Sequence, residues 1–169
     1  MGQNKALLEV GGMPMARRIS MAVSSAGCHP LVAVGGTRVH SEQVGLEWVA
    51  DDYPGEGPLG GVITALRWSP SDAVLVVACD LPLLTEHVIV ELLTMARLHP
   101  AADVVMARAA RPQPLCAVWR HSSLPALVEA FESGERAMHR VVERLEARYV
   151  DVVEAALTNV NEPDDVPIV

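Results

Sequence analysis

Residues 73–83 read Ala-Val-Leu-Val-Val-Ala-Cys-Asp-Leu-Pro-Leu, and this stretch decides the fold. Its apolar, β-branched run predicts a strand that is covered on both faces, as in a parallel sheet. Pro82 has no backbone N–H to give to a ladder, so we expect the strand to end before it. Asp80 then falls at the carboxyl end of the strand, which is the edge where open α/β sheets bind ligands.

The carboxylate of Asp80 has two interpretations, and the residues alone leave both open. A buried carboxylate needs a partner or a metal. Mg²⁺ is the natural candidate, because it takes one or two carboxylates together with substrate phosphates. Alternatively, Asp80 simply ends the strand and caps the turn that follows.

The bulk properties predict one soluble domain. Half of the 169 residues are hydrophobic, which is enough for a full core. The net charge of −8 argues against nucleic acid as a partner. The sequence has no apolar run of about 18 residues and no signal-peptide pattern, so we expect a cytoplasmic protein without a membrane segment. The three cysteines are far apart and are interpreted as reduced packing residues, since no Cys/His spacing resembles a zinc site.

Two further strands precede the first stretch, and each ends in a polar or glycine-rich tip. The strand at 29–34 is followed by Gly35-Gly36, and the strand at 48–50 is followed by Asp51-Asp52. Glycines commonly just make turns, but they also let backbone approach a ligand closely. Three such tips on one sheet edge, with Asp80 as the third, predict a ligand-binding cleft.

The remaining pattern predicts a doubly wound, three-layer α/β fold with a mostly parallel sheet. A connection of about seven residues before the strand at 115–120 is too short for a parallel crossover, so that strand is expected to be antiparallel. Strands are also expected at 103–107 and 149–153. Helices are predicted at 14–27, 58–68, 85–98, 123–133 and 135–147.

Other nucleotide-binding signatures are missing. The sequence contains neither a Walker A motif nor a G-x-G-x-x-G after a strand, so kinase, GTPase and ordinary dehydrogenase interpretations are weak. Asn159 and Asn161, one residue apart near the end of the sequence, either make turns or point two amides at one ligand.

Several stretches together resemble the nucleotidyltransferases that act on the molybdenum cofactor, which have a Rossmann-like fold of the sugar-nucleotide-transferase type. They occur in family order and cover almost the whole chain. The pieces around Tyr53–Leu59 and Pro114–Val118 look most like the guanylyltransferase branch. The matching pieces are Met1–Leu8, Gly11–Pro14, Asp51–Gly61, Cys79–Leu83, Gln113–Trp119 and Asn159–Pro163.

The resemblance implies an enzyme that uses Mg²⁺, GTP and molybdopterin cofactor to make the guanine dinucleotide form and pyrophosphate. By position, Lys5 resembles the phosphate-binding lysine, and it would offset charge on the transferring phosphate. Asp80 resembles the aspartate that binds Mg²⁺. Asp51 resembles the acid that recognises the guanine edge, whose N1–H and exocyclic amine are paired donors.

Two further positions take their expected roles from the same resemblance. Gly35 falls where some members carry a nucleotide-contacting Asn, and a glycine there can use only its backbone. Asn159 and Asn161 match the family's Asn-x-Asn motif on the cofactor side of the cleft. No nucleophilic side chain is needed, because the molybdopterin phosphate itself attacks the α-phosphorus of GTP. The protein only has to hold the two substrates in line and neutralise their charge.

The amino end departs from the family pattern. The family has a buried strand ending in Leu-Ala-Gly-Gly-x-Ser-x-Arg immediately before the Met-Gly, whereas this sequence starts at Met1-Gly2. We therefore expect residues 1–169 to be a single nucleotidyltransferase domain that is incomplete at its amino end. An upstream segment beyond residues 1–169, or a start set at the wrong methionine, is favoured over native truncation, and a natively truncated chain is expected to be inactive.

Two alternatives to guanylyl transfer stay open at this point. One is a transferase of the same fold that uses CTP or another phosphorylated acceptor. The other is a truncated, non-catalytic relative that acts as a binding module for a molybdoenzyme or its chaperone. The retained Lys5, Asp51, Asp80 and Asn161 argue against the second alternative.

Overall fold

The computed structural model describes residues 5–160 of the chain. Its strands are β1 (Glu9–Val10), β2 (Met13–Pro14), β3 (Val32–Val34), β4 (Glu47–Val49), β5 (Ala73–Val77), β6 (Val104–Arg108), β7 (Pro112–Arg120) and β8 (Ala147–Asp151). Its α-helices are α1 (Met15–Ser25), α2 (Arg38–Gln43), α3 (Pro58–Trp68), α4 (Glu86–Leu98), α5 (Leu124–Glu132) and α6 (Met138–Val142). None of these helices is long and apolar enough to cross a membrane.

The main sheet has four strands in the order β5-β7-β6-β8. Strand β7 is antiparallel to both β5 and β6, whereas β6 and β8 are parallel, so the predicted late antiparallel strand is confirmed. Strands β3 and β4 form a separate parallel pair, and β1 with β2 forms a small hairpin. The polar loop expected at 108–114 is shorter than predicted, because β7 begins at Pro112 and a register shift at Met106/Ala107 tightens the hairpin.

Successive side chains of the sheet strands point to opposite faces, and each face packs against its own layer of helices. In β5, Ala73, Leu75 and Val77 pack against the core formed with α1 and α4, while Val74 and Val76 pack against the core formed with α3, α5 and α6. Each β5 residue is nevertheless only half-buried. The predicted three-layer α/β fold with two covered sheet faces is therefore confirmed, and the exposure of β5 arises along its edge.

Helix boundaries follow local chemistry where the sequence carries a clear signal. The side chain of Thr85 accepts a hydrogen bond from the Val88 N–H and caps α4, as predicted. Pro58 stands in the first turn of α3, where its missing N–H costs nothing. Both helices end at the predicted residues, Leu98 and Trp68.

The predictions were wrong at both ends of the chain. The helix expected at 135–147 is only the short α6, because Glu135 turns its carboxylate onto the N–H groups of Arg136 and Ala137. Strand β8 then begins at Ala147, two residues before the predicted 149. The segment expected to extend at 6–10 is a 3₁₀ turn, Lys5–Leu7, followed by the very short β1.

A close approach between α3 and the loop before it requires a glycine. A Cβ atom placed on Gly60 would lie 2.8 Å from the Cβ of Tyr53, so that one of the two must shift. The Tyr53 ring packs on Phe131 with 4.2 Å between ring centroids, and this contact opposes a shift of the Tyr53 side chain. At the adjacent Gly61 an added Cβ meets nothing within 4 Å.

The two glycines therefore give a matched pair of substitutions. We expect Gly60→Ala to lower the free energy of unfolding by about 1–3 kcal/mol, since it overpacks the Tyr53 contact. We expect Gly61→Ala to leave stability unchanged or raise it by about 0.4–1 kcal/mol, because it removes unfolded-state entropy without a clash. Urea denaturation checks both, and equal destabilisation by the two variants would contradict the assigned packing.

Candidate functional site

Gly35, Asp51 and Asp80 follow β3, β4 and β5, as the sequence predicts. Gly35 and Asp51 are brought together directly: a Cβ added to Gly35 would lie 3.6 Å from the Asp51 Cβ and 3.7 Å from its Oδ2. Gly35 has φ +78°, a left-handed conformation that favours glycine. One continuous cavity reaches Gly35 on one side and Cys79, next to Asp80, on the other.

The Asp51 carboxylate is held through one of its two oxygens. Its Oδ1 accepts the Tyr53 N–H at 3.0 Å and lies 3.2 Å from the Thr64 hydroxyl. Thr64 is 2% exposed, and its oxygen also accepts the Asp52 N–H at 3.0 Å. Within residues 5–160 no donor reaches Oδ2, which faces Gly35. The structure thus orients a carboxylate and leaves one oxygen open to a ligand.

Thr64 is a site residue that the sequence reasoning missed. It lies on α3, one turn after Gly60, and its hydroxyl is also 2.9 Å from the Gly60 carbonyl oxygen. The available signal was a polar residue on an otherwise apolar, buried helix face. Such a residue must have a hydrogen-bond partner, and the nearest carboxylates preceded the same helix.

The loop between β4 and α3 is held in place on its outer side by ion pairs and ring contacts. Arg67 forms an ion pair with Asp52 at 3.1 Å and donates to the Tyr53 hydroxyl at 3.0 Å. Arg136 reaches Glu56 at 3.0 Å and stacks over Phe131. These contacts assign Asp52 to a surface ion pair, and they fix the loop from which Asp51 projects.

Gly35 offers less to a ligand than its position suggests. Its N–H donates to the Val49 carbonyl at 2.9 Å, and its carbonyl accepts the Trp48 indole N–H at 3.0 Å. The backbone contact expected at this position is thus largely taken up by the protein itself. What Gly35 contributes is the absence of a Cβ, which would lie in van der Waals contact with the Asp51 carboxylate.

The second half of the site is built by the two ends of the described chain. Leu8, Val10, Met15 and Val160 form a small buried cluster, and the Val160 N–H donates to the Asp80 carbonyl at 3.0 Å. This contact sets Asn159, which is exposed, directly beside the end of β5. Asn161 lies outside the described residues.

Lys5 and Asp80 both act on the thiol of Cys79. Desolvation raises the pKa of Cys79 most, the negative charge of Asp80 raises it further, and the positive charge of Lys5 opposes them. Lys5 and Asp80 therefore both lie near the Cys79 thiol. Cys79 is exposed, so its interpretation as a packing residue was wrong, whereas Cys116 is buried and its pKa is raised to about 12 by burial.

The Asp80 carboxylate suits a metal site in which the substrate supplies the remaining ligands. Among residues 5–160 no donor hydrogen bonds to it, and no group of three or more His, Cys, Asp or Glu side chains converges. A single half-buried carboxylate does not make a protein cage for a metal ion. It does suit Mg²⁺, which is held through one or two carboxylates and the phosphates of a bound nucleotide.

The effect of the Lys5 charge on the Cys79 thiol can be measured without any ligand. We expect Lys5→Gln to slow iodoacetamide alkylation of Cys79 on the order of twofold near pH 8, because losing the positive charge raises the thiol pKa and lowers the thiolate fraction. Mass spectrometry of the Cys79 peptide measures this rate. Lys5→Arg keeps the positive charge and serves as the control. An unchanged alkylation rate in Lys5→Gln would show that the charge of Lys5 does not act on the Cys79 thiol.

Comparison with known proteins gives a consistent picture. Residues 1–150 match the family model described as the MobA-like NTP transferase domain. A probable molybdenum cofactor guanylyltransferase of Pelotomaculum thermopropionicum is 30% identical over 98% of this chain and 83% of its own. One from Chloroflexus aggregans is 34% identical over 72% of this chain, and the match spans 62% of that relative's length.

A solved structure shares the fold. The molybdopterin-guanine dinucleotide biosynthesis protein A of Archaeoglobus fulgidus is similar with a TM-score of 0.75 and 23% identity, covering 97% of this chain and 87% of its own. At that identity the likeness concerns the fold alone. It agrees with the Rossmann-like nucleotidyltransferase architecture predicted from the sequence.

Proposed function

The chain belongs to the MobA-like NTP transferase domain family, and from that premise we propose that it transfers GMP from GTP to molybdopterin cofactor. The products are molybdopterin guanine dinucleotide and pyrophosphate. Two relatives, one of which matches almost the whole chain, carry the name guanylyltransferase. The observation that carries the proposal is the oriented Asp51 carboxylate, one oxygen of which accepts no hydrogen bond from the described residues.

Asp51 suits guanine because its carboxylate oxygen Oδ2 is available to accept hydrogen bonds. Guanine presents N1–H and an exocyclic amine as adjacent donors, and Asp51 keeps Oδ2 available while Oδ1 is fixed by Tyr53 and Thr64. Because Gly35 has no Cβ, no side chain at this position lies against the oxygen. Cytosine has no such pair of donors on one edge, so a carboxylate here favours GTP over CTP.

Lys5 and Asp80 serve the phosphates. The molybdopterin phosphate oxygen forms a new bond to the α-phosphorus of GTP, the bond from that phosphorus to the bridging oxygen breaks, and pyrophosphate leaves with the electron pair. Lys5 places positive charge beside the group being transferred, where charge accumulates. Asp80 would hold Mg²⁺, which when bound neutralises phosphate oxygens and aligns the leaving group.

Asn159 is the candidate contact for the acceptor. It is exposed and lies beside Asp80, because the neighbouring Val160 is bonded to the Asp80 backbone. A side-chain amide can donate and accept at once, which suits the polar edge of a pterin. Asn161 is proposed to act with it on the strength of the Asn-x-Asn spacing alone.

The activity test uses the purified chain with radiolabelled GTP, molybdopterin cofactor and MgCl₂. We expect label in molybdopterin guanine dinucleotide, equimolar pyrophosphate, and little product from CTP. Product from CTP alone would favour the cytidylyl alternative. Absence of product and of nucleotide binding would favour a binding module instead.

Substituting Asp80 tests the phosphate end of the site. We expect Asp80→Asn to lower transfer at least about 100-fold at fixed Mg²⁺, with partial recovery at higher metal concentration, because an amide is a poor ligand for a hard cation. Asp72→Asn is the matched control, since Asp72 precedes the opposite end of β5. Full activity in Asp80→Asn would remove this residue from the mechanism.

Substituting Asp51 tests the base end. We expect Asp51→Asn to weaken GTP binding roughly tenfold or more while CTP binding stays unchanged, because an amide replaces an acceptor with a donor. Asp52→Asn is the control, as that carboxylate is paired with Arg67. Calorimetric titration of both nucleotides measures the effect. Equal losses for GTP and CTP would show that Asp51 does not select the base.

A further inference from the structure

Strand β7 runs past the end of β5 and stands beside Asp80. The N–H of Ala78, the residue after β5, donates to the Leu115 carbonyl of β7 at 2.7 Å. Residues 112–114 of β7 extend beyond this bond, and we call them the β7 wall. The two segments run antiparallel, and Asp80 and Gln113 each lie two residues beyond the bond. Both residues are therefore at the same edge of the sheet.

A bulge in β7 turns the Gln113 side chain to the other face of the sheet. Ala117 pairs with Met106, and Gln113 pairs with the next residue of β6, Ala107, so three residues of β7 lie between the two pairs. Regular alternation from Ala117 would put Gln113 on the face of α3, α5 and α6. Directly opposite residues share a face, however, and Ala107 packs in the core with α1 and α4. The bulge thus redirects Gln113, as bulges beside sites commonly do.

Two hydrogen bonds hold the bulge in one geometry. The indole N–H of Trp119, which is fully buried, donates to the Pro114 carbonyl at 3.0 Å. The next carbonyl, that of Leu115, accepts the Ala78 N–H. Backbone carbonyls in a buried bulge need such partners. Gln113 is therefore carried by a fixed segment of strand.

Gln113 supplies the polar side chain of the β7 wall. The other two residues of the wall are Pro112 and Pro114, which have neither a polar side chain nor a backbone N–H. Gln113 is half-buried, and its side-chain amide makes no hydrogen bond within residues 5–160. An amide has two donors and an acceptor oxygen, and such groups are normally satisfied by protein, water or a ligand. A ligand that lies against the wall therefore meets one amide that can still donate and accept.

The wall is separated from the end of the site that carries Asp51. Strand β7 lies along one edge of β5, whereas β3 lines a cavity along the other edge. Asp51 follows β4, the partner of β3. Asp80, at the end of β5, therefore lies between Asp51 and the β7 wall. A molecule against the wall approaches Asp80 from the side opposite to the nucleotide base.

The chain after β8 reaches the same face as Gln113. The Val152 N–H is bonded to the end of β6, and the Val160 N–H is bonded to the Asp80 carbonyl. Because β7 lies between β6 and β5, the segment between these two bonds crosses β7. Several of its apolar residues pack in the core with α1 and α4, the face to which Gln113 is turned. The segment also carries the exposed Asn159, so two amides belong to this part of the edge.

We propose that Gln113 binds the acceptor of the transfer reaction and that its amide forms hydrogen bonds with the polar edge of the pterin. The inference rests on the proposed function, in which the acceptor phosphate must reach the α-phosphorus of GTP beside Asp80. A pterin presents an amine, a ring N–H and a carbonyl side by side, which matches a group that both donates and accepts. Asn159 contacts the acceptor from the crossing segment, and Gln113 contacts it from β7. Gln113 binds the acceptor and takes no part in the transfer step.

The test compares Gln113→Met with the wild-type chain in steady-state kinetics of GMP transfer. Methionine keeps the length of the side chain and removes the amide. We expect the KM for molybdopterin cofactor to rise about tenfold or more, because a hydrogen bond made in both the ground and the transition state is lost. The kcat and the KM for GTP should change little. Gln43→Met is the matched control, since Gln43 is exposed at the end of α2 and should leave all constants unchanged.

A second measurement needs neither a variant nor turnover. The side-chain amide of Gln113 is followed by NMR in the ¹⁵N-labelled wild-type chain during titration with neopterin, a pterin without a phosphate. We expect neopterin to shift the Gln113 amide signals and to leave those of Gln43 in place. GTP should shift neither, because the base lies on the other side of Asp80. This titration is informative even if the chain transfers no GMP.

Each outcome decides the proposal. Where wild type and variant are both active, a selective rise in the KM for the acceptor supports it, and unchanged constants or an equal loss for GTP overturn it. Where Gln113→Met does not fold, or where the wild-type chain transfers no GMP, the titration decides. A neopterin shift at Gln113 then supports the pterin contact, and its absence overturns it. Failure of transfer with a retained neopterin shift counts against the proposed function alone.

Discussion

Strand β5 must satisfy backbone groups on two edges, and most of the structure follows from how it does so. Its five residues pair with β7 along one edge, from Ala73 opposite Arg120 to Val77 opposite Cys116. That pairing draws in β6 and β8 and sets the main sheet between two helical layers. The other edge lines an apolar cavity together with β3, and this is why a strand with covered faces remains only half-buried.

The same strand also determines what the site can do. Because β5 ends before Cys79, the acid at Asp80 projects from the sheet edge, and the Asp80 carbonyl receives Val160. Lys5 is held near this edge because Leu8, Val10 and Met15, which follow it in the chain, pack with Val160 in one buried cluster. Neither end of the described chain carries a long element of its own. Their placement therefore depends on a few buried contacts beside β5.

How much the sequence could predict depended on whether the signal was local. The cap at Thr85, the start of α3 at Pro58 and the antiparallel β7 follow from residue type and connection length, and all three are confirmed. Helix α6 was overextended because the apolar spacing after Gly134 hid the competition of the Glu135 carboxylate for backbone N–H groups. Thr64 escaped notice because its role depends on a contact with a residue thirteen positions away.

Asp51 and Asp80 differ in a way that matches two different tasks. A base is recognised by direction, so its acceptor must be fixed before it arrives, and Asp51 is fixed by Tyr53 and by the nearly inaccessible Thr64. A hydrated cation with phosphate ligands tolerates more adjustment at a single carboxylate. Asp80 accordingly accepts no hydrogen bond on its side chain from the described residues, while its backbone is anchored by Val160. One carboxylate is held by its side chain and the other by its main chain, and this division fits the proposed roles, with a nucleotide base at Asp51 and metal-bound phosphates at Asp80.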